Sequence, residues 1–158
     1  MIRTAVAFVV MIFVIGLSLV ISYVAFDGID TGIQESEVIN ATEKAFFTEQ
    51  KNIFSNVWDY TFLTILIAAL VGSLILTWAV SSNPALFFVL LMVVVVISAL
   101  AGYLSNAFET VTEDAVLGAA ALNFPIMSFV LNNYLTFMMS MMFLMLIVFF
   151  AKPQGGGF

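Results

Sequence analysis

The residue types that usually do chemistry are scarce in this chain of 158 residues, and most of those present fall in two acidic stretches. Asp27, Asp30, Glu35, Glu37, Glu43, Glu49 and Asp59 stand against only Lys44 and Lys51, and Glu109, Glu113 and Asp114 form a second group. Clustered carboxylates are what a hard cation such as Ca2+ takes. Asp27-Gly28-Ile29-Asp30 lacks the alternating ligands and closing Glu of an EF-hand loop, so its spacing points to a solvated acidic face. No metal or other cofactor is expected. Asn40-Ala41-Thr42 matches the acceptor pattern for N-glycosylation at Asn40, although three residues also match by chance.

Histidine is absent, which removes the usual general base and the commonest metal ligand, and cysteine is absent, which removes disulfides and thiolate chemistry. The chain holds no Ser-His-Asp set, no phosphate-cradling glycine loop and no basic patch. Hydrolysis, nucleotide chemistry and nucleic-acid binding therefore have no residues to carry them, and no enzyme activity is expected. Met138, Met139, Met141, Met142 and Met145 cluster with Phe137, Phe143, Phe149 and Phe150; thioethers fill irregular gaps, so this reads as adaptable packing rather than metal or haem ligation. Asn132-Asn133-Tyr134 is the most polar spot in an apolar setting, suited to hydrogen bonds between helices or to a polar cavity.

What must position these residues is almost entirely apolar. The chain is 63% hydrophobic and 9% charged, with a mean hydropathy of +1.17, whereas soluble domains carry about 25% charged residues. A bilayer core of roughly 30 Å takes about 20 residues of helix. Residues 4–26 form an uncharged first span behind Arg3, read as an uncleaved signal-anchor because the run is too long for a cleaved signal. Tyr60 to Phe108 holds no charge and is cut once, at Ser81-Ser82-Asn83-Pro84, which predicts a hairpin of spans 60–80 and 84–105. Trp58, Tyr60, Trp78 and Tyr103 suit the headgroup levels at its ends. A fourth span is predicted over 125–151 and a flexible tail over 152–158. The expected fold is thus an all-α integral membrane protein with one membrane domain of four transmembrane helices.

Between the spans, residues 27–59 and 106–124 are expected to be exposed. Asp27-Gly28-Ile29-Asp30-Thr31-Gly32 has turn chemistry. Beyond it Ile39, Phe46 and Ile53 recur every seven residues with Phe47 and Phe54 beside them, a helical stripe that needs cover from the membrane surface, the tops of the spans or a partner. Asn40 and Glu43 fit a capping arrangement, and Thr110-Val111-Thr112-Glu113 fits one starting a short helix over 115–122. Ala68 with Gly72, and Ser98 with Gly102, are small residues four apart that could let helices approach closely.

Four spans put both termini on one side, with Arg3 and Lys152; all ten acidic residues fall on the other with only two lysines. Basic residues are retained inside, so the termini are assigned inside and the acidic loops outside. No span contains an ionisable residue, which disfavours a proton relay or ion-coupled carrier.

Arg3 before a single anchor, the acidic segment 27–59, the hairpin at Asn83-Pro84 and a Met/Phe-rich last span before Lys152-Pro153 form a layout similar to small membrane proteins of tailless icosahedral phages with an internal membrane. The resemblance implies a virion component that helps shape the vesicle and meets capsid proteins with its acidic face. It rests on layout and carries over no site residues. The function expected is that of a structural subunit in an oligomeric membrane assembly. A holin-like pore, or an accessory subunit of a respiratory or transport complex, stands as the alternative.

Overall fold

The computed structural model describes residues 2–79 and 84–151, and every element among them is helical. The chain forms α1 (Ile2–Glu35), α2 (Ala41–Ala79), α3 (Pro84–Glu113), α4 (Ala115–Ala121), α5 (Pro125–Asn132) and α6 (Tyr134–Ala151). Four of these, α1, α2, α3 and α6, are long and apolar enough to cross a membrane, so the chain reads as an integral membrane protein. The turn expected at Ser81 to Asn83 and the tail 152–158 lie outside the described residues.

Helix starts at Pro84, Ala115 and Pro125 agree with the sequence expectation, whereas the ends of α1 and α3 run on through polar residues. Residues 27–59, expected as an acidic and partly helical segment, carry more helix than that: α1 continues to Glu35 and α2 starts at Ala41, so only 36–40 separate two helices of 34 and 39 residues. At 1.5 Å per residue α1 is about 51 Å long and α2 about 58 Å, well beyond one bilayer core. Asp27-Gly28-Ile29-Asp30-Thr31-Gly32 is helical because the side chains of α2 pair with its carboxylates, as described below. The turn into α2 behaves as predicted. The Glu43 amide donates to Asn40 Oδ1 at 2.9 Å and the Asn40 amide to Glu43 Oε2 at 3.3 Å, a reciprocal capping box.

The third span also overruns, with α3 reaching Glu113, so Thr110 to Glu113 sit inside a helix instead of opening one. Asp114 supplies the cap for α4, accepting from the amides of Val116 and Leu117 at 2.9 Å each. Those two hydrogen bonds hold the Asp114 carboxyl below the usual carboxylate range. α4 then turns through 114° into α5. The predicted fourth span, 125–151, is broken at Asn133 into α5 and α6.

The core lies where α5 and α6 enter between the longer helices. α6 packs on α3 and α2, α5 on α2 and α3, and α4 on α1 and α3. Tyr134, Phe108, Phe124, Met127 and Leu131 are fully buried there. Gly16 makes this possible, because a Cβ on it would stand 2.6 Å from Leu131 Cδ1. At Gly118 a Cβ would run into the backbone carbonyl of Thr112, so the tight α3–α4 corner needs glycine.

Candidate functional site

The paired and capping polar groups gather where α1 turns into α2 and where α5 begins, in linked layers with aromatic rings between them. The outermost joins the overhanging parts of α1 and α2. Lys51 Nζ reaches Asp30 Oδ2 at 2.7 Å and Asp27 Oδ1 at 2.9 Å. Thr48 donates to Asp30 Oδ1 at 3.0 Å, and Gln34 Nε2 to Asp30 Oδ1 at 3.2 Å and to the Lys44 carbonyl at 3.0 Å. Lys44 Nζ closes the ladder on the Gln34 carbonyl at 2.7 Å. The Lys51 ammonium beside Asp30 holds that buried carboxyl below its usual range, and the two carboxylates push Lys51 up. Asp30 is therefore a paired group inside a helical hairpin, not part of a solvated acidic face.

The middle layer is aromatic. Phe54 stacks on Phe26 at 4.7 Å between ring centroids and meets Phe124 edge-on at 6.5 Å, while Tyr23 meets Phe124 edge-on at 5.6 Å. Of the predicted stripe, Phe54 finds this internal cover and Ile39 is half-buried in the turn. Phe46, Phe47 and Ile53 remain 55%, 40% and 45% exposed.

Beneath the aromatics sits Asp59, which is 4% exposed although the sequence places it among the solvated acidic residues. Phe124, at the N-cap of α5, has no side-chain oxygen to offer, so the first amides of that helix lack a local acceptor. Asp59 supplies one from α2: the Met127 amide donates to Oδ1 at 2.8 Å and the Ile126 amide to Oδ2 at 3.0 Å. A carboxylate at a helix N-terminus is favoured both by these bonds and by the helix dipole.

At its other end α5 stops at Asn133, whose side-chain amide donates back to the Phe129 carbonyl at 2.9 Å, a bond within the same helix. Asn132 is exposed, and its carbonyl, not its side chain, carries the contact between helices: Ser105 of α3 donates to it at 2.7 Å and to the Leu131 carbonyl at 3.2 Å. Tyr134 then donates to the Val9 carbonyl of α1 at 2.7 Å. A neighbouring hydroxyl that meets carbonyls freed by a helix break is the usual condition for broken helices at membrane depth.

The small-residue pairs are placed differently from each other. Gly102 faces α6, where a Cβ would lie 3.8 Å from Leu135 Cδ2, and the Ser98 hydroxyl is buried with no hydrogen-bond partner. Ala68 is exposed and nothing lies within 4 Å of a Cβ built on Gly72. Met138, Met141 and Met142 are buried, and with Phe8, Val94 and Ile97 they line a wholly apolar crevice of about 100 Å³ between α1, α3 and α6. Among the described residues no group of three His, Cys, Asp or Glu side chains is placed to hold a metal ion.

Asp59, Ser105, Gly16 and Val9 were not legible as partners of the last helices. The only hint was Pro125 following a residue that cannot cap, which leaves an acceptor to be found elsewhere. The arrangement ties the end of α1 to the start of α2 and fastens the broken helix α5–α6 to α1, α2 and α3. No protein-family model, curated protein or solved structure matches this chain.

Proposed function

We propose that this chain is a non-enzymatic structural subunit of a larger membrane assembly, which it contacts through the helical hairpin formed by residues 27–53. The observation that carries the reading is the Asp27/Asp30–Lys51 ladder. It stiffens the part of α1 and α2 that overruns the uncharged segments and leaves Phe46, Phe47 and Ile53 uncovered on the outside. A rigid arm with exposed aromatic side chains suits recognition of another protein, since aromatic residues are enriched where interfaces bury their core.

Both termini are assigned to the inner face and the arm to the outer face, supported by Arg3 and Lys152 against the ten acidic residues. In the phage setting that the layout resembles, the arm meets the capsid shell from the surface of the internal vesicle. Mild-detergent extraction from the native membrane tests the proposal. A particle much larger than the 17.3 kDa chain, containing other proteins, is expected. A lone chain, substrate turnover by the purified protein, or dye release from liposomes holding it would overturn the reading.

A further inference from the structure

We infer that a second copy of this chain packs along the outer face of α2, forming a parallel helix pair that runs from the arm into the membrane. This deepens the structural-subunit reading, on which it rests, by naming one of the partners. The buried side chains of α2, Ser55, Asp59, Phe62 and Leu66, face the rest of the bundle. Away from that face runs a second row, near-opposite at Phe46, Ile53 and Val57 and drifting to its flank at Tyr60 and Ile67. Phe46, Ile53, Tyr60 and Ile67 stand seven residues apart, and of the intervening positions Gln50 and Thr64 are polar while Val57 and Val71 are apolar, which gives six apolar residues. These six are 45–63% exposed, and only 11% of the most apolar stretch of α2 is buried inside the bundle, against 33% for α1.

Lipid covers the lower part of this row but not its upper part. Phe46 lies between Lys44 and Thr48, which pair with Gln34, and Ile53 follows Lys51, which pairs with Asp27. Both are therefore level with the charged ladder, where hydrocarbon chains do not reach. A strict seven-residue repeat drifts by about 20° per heptad on a straight helix, so one that persists across both environments suits a partner that coils with it.

Three further features select a copy of the same chain. Copies inserted in one membrane run in the same direction, so their α2 helices meet in parallel with like residues opposite, as a two-fold axis requires. None of the charged residues of α2, Glu43, Lys44, Glu49, Lys51 and Asp59, occupies the row, so no like charges are brought face to face. Phe46 and Tyr60, at about 150–250 Å² per aromatic side chain, together with four half-exposed aliphatic side chains in each of two copies, offer an area on the order of the 1,000 Å² of a specific interface.

The chain contains no cysteine, so single cysteines report without background. Ile53→Cys and Val57→Cys, each in the full chain in native membranes under mild oxidation, are expected to form disulfide-linked dimers. Asn52→Cys and Asn56→Cys, exposed on the flank of the same helix, are expected to lose them, because a disulfide needs Cα atoms within about 7 Å. Ile53→Glu should abolish the dimer in a mass measurement while helix content stays unchanged. Equal linking at all four positions, or none at any, overturns the pairing. If linking fails while the chain still extracts in a large particle, the pairing falls and the subunit reading stands; a lone chain overturns both.

Discussion

Asp59 of α2 and Met127 of α5 lie 68 residues apart, and a 2.8 Å hydrogen bond from the Met127 amide to the Asp59 carboxylate makes one helix the cap of the other. With the Ile126 amide also bound, both carboxylate oxygens are used. Asp59→Ala leaves two buried or half-buried amides without acceptors and should lower stability by about 2 kcal/mol or more. Asp59→Asn, which keeps one acceptor oxygen, should lose about half as much. Thermal unfolding in detergent checks both, and equal stability of Asp59→Ala and the parent would refute the cap.

The Asp30–Lys51 pair makes the arm sensitive to pH at the extremes. The Asp30 carboxyl is depressed, so its contribution is fully present above the ordinary value of 3.8 and is lost as pH falls through the depressed one. Lys51 is raised, so its contribution is fully present below 10.5 and is lost only as pH rises through the raised value. Spin labels on Ile33→Cys and Phe47→Cys should report one narrow distance across the range between, broadening in acid. Lys51→Ala, which leaves Asp30 buried without its cation, should broaden it at neutral pH at a cost of about 2 kcal/mol.

The glycines separate into those the packing needs and those it does not. Gly16→Val drives side-chain atoms into buried Leu131 and should destabilise by about 1–3 kcal/mol. Gly72→Ala meets open space and should be neutral or stabilise by up to about 1 kcal/mol through helix propensity. Comparing the two melting temperatures in the same detergent decides it.

Tyr134 ties α6 to α1 through a single hydroxyl. Tyr134→Phe leaves the ring in place and removes the 2.7 Å bond to the Val9 carbonyl, for an expected loss of about 1 kcal/mol. Faster amide exchange around Val9 and Phe13 in Tyr134→Phe is the local sign of that loss.

Several elements were readable from local pattern alone. The uncharged runs set four helices of spanning length, since apolar length is a property of consecutive residues. The capping box at Asn40 and Glu43 was equally legible, because both partners lie within one turn. The same reasoning failed at Thr110 to Glu113, where a pattern that fits a cap continues α3 and Asp114 caps instead. A capping signature says which residues can stop a helix, not whether packing lets it run on.

Hydropathy and periodicity by themselves settled that the chain is helical and sized for a bilayer, because transfer free energy depends only on side-chain type and spacing. Where each polar group ended up was settled by the tertiary structure. Burial of Asp30 and Asp59, the break at Asn133 and the close approach at Gly16 each depend on a partner that the sequence places far away, such as Val9, 125 residues from Tyr134. A buried carboxylate or a freed carbonyl is tolerable only where a matching donor arrives in three dimensions, and no window along the chain contains that information.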